Sequence, residues 1–183
     1  MTRVRQLSPD EMTPAQRAVY DAILAGPRAA IGGPFMPWLQ SPELADRAQN
    51  LGAFVRFETS LPPRLSELAI LVTARHWTAQ YEWWAHEPIA LKAGLNAGIV
   101  AAIKSRQRPR FAAEDEELVY DFASTLHAEH RVDDDLYARA QTMLGEPAVV
   151  ELVGILGYYT LVAMTLNVYE MPLPEGESPP LPD

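Results

Sequence analysis

The 183-residue chain contains no cysteine. This absence excludes disulfide bonds, thiolate catalysis and zinc sites with thiolate ligands. It also fits a cytoplasmic protein, and the first fourteen residues lack the apolar run of a signal peptide. We therefore predict a cytoplasmic location.

Positive charge is scarce as well. Lysine and arginine together number 15 against 24 aspartates and glutamates, which gives a net charge of −9. Nucleic-acid binding requires a basic patch, and the sequence offers none, so we expect no nucleic-acid partner. Apolar residues at 48% and charged residues at 21% are typical of a soluble globular protein. We predict one domain over residues 1–183, with an extended tail from about residue 172.

Strand signals are also missing, because no run alternates with a period of two and no hairpin turn separates two β-branched runs. Helix signals are frequent instead. Thr13 and Ser41 each stand before a proline, as an N-cap stands before the first helical residue. A further helix is expected from about Arg64, and Asn96 can cap another. We predict an all-α bundle of about eight helices.

One long loop is predicted over residues 26–40. It is rich in glycine and proline, yet it carries Phe35, Met36 and Trp38. Apolar loop residues often line a ligand site, but they can equally lie over the core. Both interpretations stay open at this point.

The apolar run over residues 148–169 is long enough to cross a membrane, but it carries Glu151 and Asn167. A charged residue within a membrane span is costly, so we expect no membrane partner. Such a helix is more often the centre of a bundle or part of a subunit contact. We therefore predict a homo-oligomer, whose proline-rich tail is extended and mobile or lies over a neighbouring subunit.

The stretch "TAQYEWWAHEPIA", residues 78–90, places Glu82 and His86 one helical turn apart. Glu67 lies fifteen residues before Glu82. If one straight helix joined them, the two residues would be about 22 Å apart. A turn at residues 76–78, with Thr78 capping a second helix, would instead form an antiparallel hairpin. In that hairpin Glu67 faces His86, and Glu82 lies one turn away.

Two carboxylates beside an imidazole in an apolar hairpin can perform acid–base chemistry. One carboxylate fixes the tautomer of the ring, and the other exchanges a proton with a substrate. The alternative is a polar turn whose residues only satisfy one another within a core. His127 and His130 are predicted to lie at a solvated helix end, so we expect no metal site. His76 is predicted to be a cap or a surface residue.

The segment "GPFMPWLQSPELADRAQNLGAFVRFETSLPPRLSELAILVTARHWTAQYEWWAHEPIALKAGL" resembles the carboxymuconolactone decarboxylase family, which shares its fold with alkylhydroperoxidase D. The elements "SPEL", "LPPRLSELAIL", "AR" and "YEWxxH" follow the order and spacing of that family. The closing "YYTLVAMTLNVYEMPLPEG" is also similar to family members. The resemblance covers roughly residues 30–176 and implies an alkylhydroperoxidase D-like bundle around the hairpin.

The resemblance also bears on chemistry. The peroxidase branch has a Cys-x-x-Cys pair, and its two positions fall on Ala79 and Glu82 here, which excludes dithiol chemistry. The chain is similar to the cysteine-free branch, whose decarboxylases act without a cofactor on a lactone acid from aromatic ring cleavage. This implies Glu67, Glu82 and His86 as catalytic residues, and a trimer or hexamer as the assembly.

A substrate of that class carries a carboxylate, which arginine can bind through two hydrogen bonds. Arg56, Arg64 and Arg75 are candidates for this role, with Arg56 and Arg75 preferred. The remaining candidates for the pocket wall are aromatic: Phe35, Trp38 and Trp83.

We expect a cofactor-free lyase acting on a small acidic or lactone-like compound. An isomerase, a hydratase or a lactone hydrolase using the same site, or a non-catalytic binding protein, are the alternatives. An enzyme requires a cavity that reaches Glu82 and His86, whereas a structural pair would be sealed by Trp83 and Trp84.

Overall fold

The structure is a computed structural model that describes residues 2–27 and 31–182. Those ranges contain one 3-10 turn at Pro9–Glu11, nine α-helices and no strand, so the predicted all-α class is confirmed and the helix count is one higher than expected. The α-helices are α1 (Pro14–Ala25), α2 (Phe35–Trp38), α3 (Pro42–Phe57), α4 (Pro63–His76), α5 (Gln80–Lys92), α6 (Ala97–Lys104), α7 (Glu114–Glu129), α8 (Asp134–Leu144) and α9 (Glu146–Val168).

The helix starts follow the predicted caps in two of four places. Thr13 accepts from the backbone N–H of Gln16, and the Gln16 side chain accepts from the backbone of Thr13, which forms a capping box. Asn96 likewise accepts from the backbone of Gly98. Ser41 precedes α3 as predicted, but its side chain makes no capping hydrogen bond.

α4 and α5 form the antiparallel hairpin at the centre of the fold. Every residue from 65 to 75 in α4 is buried, because α5, α7 and α9 all pack against this helix. The turn lies where it was predicted, but Thr78 does not cap α5. Its φ is +48°, Ala79 takes the N-cap position, and the Thr78 hydroxyl accepts from Arg75 and Arg106 instead.

α9 is long and apolar enough to cross a membrane, but 56% of its most apolar stretch is buried against the rest of the chain. That is typical of the core helix of a soluble protein. Thr165 accepts from the Trp38 indole, and Asn167 donates to the Trp77 carbonyl. Glu151 accepts from the backbone and hydroxyl of Ser60, so its charge stays at the surface.

The predicted loop over residues 26–40 contains a short helix, α2, and its residues 28–30 lie outside the described ranges. Phe35 and Trp38 are both buried, with ring centroids 5.5 Å apart in an edge-to-face contact. The apolar residues of this segment therefore belong to the core, although Phe35 also borders a cavity.

The tail is extended, but it lies against its own chain rather than being free. The Gln80 side chain makes two hydrogen bonds with the backbone of Leu181, and the Leu181 side chain is buried. Arg75 donates to the carbonyl of Pro182. Sequence patterns did not indicate this return, because the partners are about a hundred residues apart and the apolar signal is a single leucine. Asp183 is outside the described residues.

Candidate active site

Glu67 and His86 are in direct contact across the hairpin, as the register around the turn predicted. The distance from His86 Nδ1 to Glu67 Oε2 is 2.7 Å, and each residue is 5% exposed. An ionised carboxylate can only accept, so beside ionised Glu67 the hydrogen is on Nδ1. This contact leaves Nε2 of His86 as the nitrogen that can exchange a proton with another group.

Glu82 lies one turn before His86 on α5 and is 2% exposed. Neither of its side-chain oxygens has a hydrogen-bond partner among the described residues. Burial without a compensating charge raises the pKa of Glu82 well above its ordinary value. The neutral acid, which carries a proton it can donate, is therefore the favoured form.

A cavity of about 210 Å³ borders both Glu82 and His86, and we call it the Glu82 cavity. Its volume is below the roughly 300–1,000 Å³ of sites for drug-sized ligands, which favours a small substrate. The wall is mostly apolar and aromatic, with a few polar groups. The lining residues are Ile31, Gly32, Pro34, Phe35, Arg56, Tyr81, Glu82, Ala85, His86, Tyr158, Tyr159, Val162 and Leu166.

Arg56, which α3 contributes to this wall, is the arginine among the lining residues. It is half-buried, its guanidinium lies 5.2 Å from the centre of the Phe57 ring, and it has no ion pair within the described part of the chain. An arginine without an acidic partner at the wall of a cavity can bind the carboxylate of a ligand.

Three residues predicted to contact substrate do not line the Glu82 cavity. Arg75 is near the end of α4 and donates to Thr78 and to the tail. Trp83 is fully buried with its indole N–H on Glu87, and Trp38 is packed behind Phe35 and Tyr158.

The remaining arginine candidate, Arg64, forms ion pairs with Asp115 and Glu116. These four residues lie away from the Glu82 cavity for one reason: position in the sequence indicates the helix but not the direction of each side chain.

Three tyrosines at the cavity were not predicted. Tyr81 faces a glycine pair, and a Cβ on Gly33, whose φ is +55°, would lie 3.0 Å from the Tyr81 ring. Burial raises the pKa of Tyr81 above its ordinary value. Tyr158 and Tyr159 come from α9, and the Tyr159 ring meets the His86 ring edge-on at 5.0 Å. The sequence signal that could have found Tyr81 was the glycine pair, which leaves room for its ring.

No group of three potential metal-ligating side chains occurs within residues 2–27 and 31–182. The prediction of a solvated helix end is right for His130, which is exposed at the C-cap of α7. His127 lies in the last turn of α7 but is half-buried, with Nε2 2.9 Å from the Thr73 hydroxyl and its ring stacked on His76.

No protein-family model matches the sequence, and no curated protein matches it either. Two solved structures of the debrominase Bmp8 are similar. Its apo structure is 16% identical with a TM-score of 0.74, covering 98% of this chain and 95% of Bmp8. A cysteine-to-alanine variant of Bmp8 in complex with 2,3,4-tribromopyrrole is 17% identical with a TM-score of 0.70, covering 98% and 92%. This likeness shows the fold and not the reaction. The chain has the alkylhydroperoxidase D-like helical fold.

Proposed function

We propose that this chain is a cofactor-free acid–base enzyme, a lyase similar to carboxymuconolactone decarboxylase, that acts on a small acidic or lactone-like compound. The observation that carries the proposal is Glu82. It is a buried carboxyl group without a hydrogen-bond partner in the described ranges, and it borders a cavity together with the His86–Glu67 pair.

The cost of this arrangement argues against a purely structural role. A buried polar group without a partner costs about 1–3 kcal/mol relative to a satisfied one. A leucine or methionine would fill the position of Glu82 without that cost. Perturbed carboxyl groups in clefts are typical of catalytic sites, where stability is given up for chemistry.

Decarboxylation would begin with the substrate carboxylate bound near Arg56. The bond between the carboxylate carbon and the ring breaks, carbon dioxide leaves, and the electron pair stays on the ring as a dienolate. The apolar wall strengthens any hydrogen bond to the developing oxyanion.

The dienolate carbon then takes the proton of neutral Glu82, which gives the enol-lactone product and a Glu82 carboxylate. A buried carboxylate is unfavourable, so Glu82 is protonated again from solvent. His86 borders the same cavity and can relay this proton through Nε2, while Glu67 holds Nδ1 and keeps the ring oriented. The reaction balances in atoms and charge, and it needs no external electron donor or acceptor.

The same three residues could move protons in an isomerase, a hydratase or a lactone hydrolase. A non-catalytic binding protein is the remaining alternative, and the cavity at Glu82 and His86 argues against it because Trp83 and Trp84 do not line that cavity. The Bmp8 complex adds that a protein of this fold can hold a small ring. Thiol chemistry is not available to this chain, which has no cysteine.

The test is decarboxylation of carboxymuconolactone, followed by ultraviolet absorbance. We expect His86→Ala and Glu82→Gln each to lower kcat/KM by about 10²–10⁴-fold, the usual contribution of general acid–base catalysis. Glu67→Gln should lower kcat as well, because a neutral amide accepts the Nδ1 hydrogen bond less strongly than a carboxylate does. Glu114→Gln is the matched control, because Glu114 is exposed at the start of α7.

Turnover that is unchanged in Glu82→Gln would remove Glu82 as the proton donor. No turnover by folded wild type would remove this substrate. A panel of related lactones and enols would then separate another acid–base reaction from the absence of catalysis.

A further inference from the structure

A second cavity, of about 190 Å³, lies at the carboxyl end of α4, between α4, α6 and α7. Among the described residues it shares no lining residue with the Glu82 cavity. Its wall includes two arginines and two histidines, Arg75, Arg106, His76 and His127, and no aspartate or glutamate from residues 2–27 and 31–182. We call it the arginine–histidine cavity. A cationic wall is unexpected in a chain of net charge −9.

Arg75 is the most constrained member of this wall. It is 4% exposed, and its Nε has no hydrogen-bond partner among the described residues. Its other nitrogens donate to the Thr78 hydroxyl and the Pro182 carbonyl, both of which are neutral acceptors. No carboxylate in the described ranges pairs with Arg75, and a buried guanidinium without such a partner is unfavourable because desolvation is not offset by an ion pair.

Arg106 brings a second positive charge to the same place. It follows α6 with a φ of +56°, and its guanidinium donates to the same Thr78 hydroxyl as Arg75. Two guanidinium groups that share one acceptor repel each other. Consistent with this, burial and the charge of Arg106 lower the pKa of Arg75 below its ordinary value.

The histidines complete the wall. The rings of His76 and His127 are stacked with centroids 4.8 Å apart. Burial and the neighbouring His76 lower the pKa of His127 to about 4, so this ring stays neutral unless an anion is near. Glu117 and Asp121 of α7 both pair with Arg108.

We propose that the arginine–histidine cavity binds a small, multiply charged oxyanion, of the phosphate, sulfate or polycarboxylate class. The cavity has room for such an ion, and its two guanidinium groups match the geometry of an oxyanion. The ion would offset the repulsion between Arg75 and Arg106. It would also stabilise the α4–α5 turn and the tail, since the Arg75 guanidinium donates to both the Thr78 hydroxyl and the Pro182 carbonyl.

Sulfate is the first probe, titrated into the full chain by isothermal titration calorimetry at constant ionic strength set with chloride. We expect saturable binding of one sulfate per chain. Arg106→Gln should weaken it at least tenfold, and Arg106 is exposed enough for the variant to fold. Arg139→Gln removes the same charge from the exposed face of α8 and should bind as wild type does.

The pH dependence gives a second readout, because sulfate keeps its charge between about pH 5 and 8. The charged and titratable groups facing the histidine pair are Arg75, Arg106, His130 and Tyr120. Bound sulfate favours protonated His76 and His127, so affinity should rise as pH falls. His76→Gln removes one of the two titrating rings and should therefore flatten that rise. Because His76 is at the surface, its replacement leaves the core intact.

Phosphate and citrate, titrated in the same way, distinguish a phosphoryl ligand from a polycarboxylate, and tighter binding of either supports the proposal. Two results would overturn it: no saturable sulfate, phosphate or citrate binding by wild type, or equal binding by wild type and Arg106→Gln. Neither outcome depends on the activity proposed for the Glu82 cavity.

Discussion

Glu82 is the residue at which folding and chemistry conflict most directly. Its carboxyl group is buried, has no partner in the described part of the chain and borders a cavity. Glu82→Leu should therefore stabilise the protein by about 1–3 kcal/mol, because it removes an unsatisfied polar group at nearly constant volume. Chemical denaturation measures the change in the free energy of unfolding, and the same variant should have lost activity.

Glu67→Leu is the contrasting variant for that prediction. It removes the partner of His86 Nδ1 and leaves a buried ring nitrogen unsatisfied, so it should destabilise the fold. Destabilisation by both variants would mean that Glu82 has a partner in solution.

The pH dependence of stability follows from the same residue. The pKa of Glu82 is raised in the folded state above its ordinary value of 4.5. The folded state then holds this proton more tightly, so the contribution of Glu82 to stability is fully present below pH 4.5 and is lost as the pH rises through the folded pKa.

Glu82→Gln cannot ionise and should not show this fall. The free energy of unfolding of Glu82→Gln minus that of wild type should therefore increase with pH above 4.5. Urea denaturation at a series of pH values measures it, with Glu114→Gln as the exposed control. A difference that does not change with pH would contradict the raised pKa.

At the scale of elements, the hairpin could be predicted and its surroundings could not. A turn centred between residues 76 and 77 makes Glu67 and His86 equidistant from it, and the structure places them in contact. Thr78 has a positive φ that no cap rule indicates, and Arg75 points to a different cavity.

Those failures are long-range in origin. Arg75 and Thr78 are oriented by Arg106 and by the tail, which are distant in sequence. Local periodicity gives the face of a helix, whereas the partners of a side chain depend on which segments return to it.

The glycine pair before α2 lies against Tyr81 and gives a prediction about the wall of the Glu82 cavity. Gly33→Ala should cost about 1 kcal/mol for its positive φ, and more because the new Cβ would meet the Tyr81 ring at 3.0 Å. Gly94→Ala, with φ +95° and no atom within 4 Å of its Cβ, should show only the backbone cost. Thermal unfolding compares the two, and equal losses would mean that Tyr81 moves away freely.

At the scale of the whole molecule, α9 presents an apolar stripe to solvent. The stripe has alternating spacings of four and three, as in a coiled-coil seam, and two of its central members are glycines. Its members are Val150, Gly154, Gly157, Leu161, Met164 and Val168. We call it the α9 seam.

We propose that α9 of a second copy of this chain covers the α9 seam. The central glycines allow close approach, since no atom lies within 4 Å of a Cβ on Gly157. This contact makes a dimer, and a trimer or hexamer would require a further surface.

Leu161→Glu should dissociate that dimer, because it places a charge in the middle of the seam. Light scattering coupled to size-exclusion chromatography measures the mass. Leu24→Glu is the control, since Leu24 is 38% exposed on α1, close to the 37% of Leu161, and lies outside the seam. A monomeric wild type, or a dimer that persists in Leu161→Glu, would contradict the proposal.

The most direct test of the account is the protonation state of Glu82. Infrared difference spectroscopy of wild type against Glu82→Gln, at about pH 6 and thus above the ordinary range of glutamate, detects a protonated carboxyl group. The account predicts a carboxylic-acid band in wild type that Glu82→Gln lacks. An ionised Glu82 under these conditions would contradict its role as the proton donor of the Glu82 cavity.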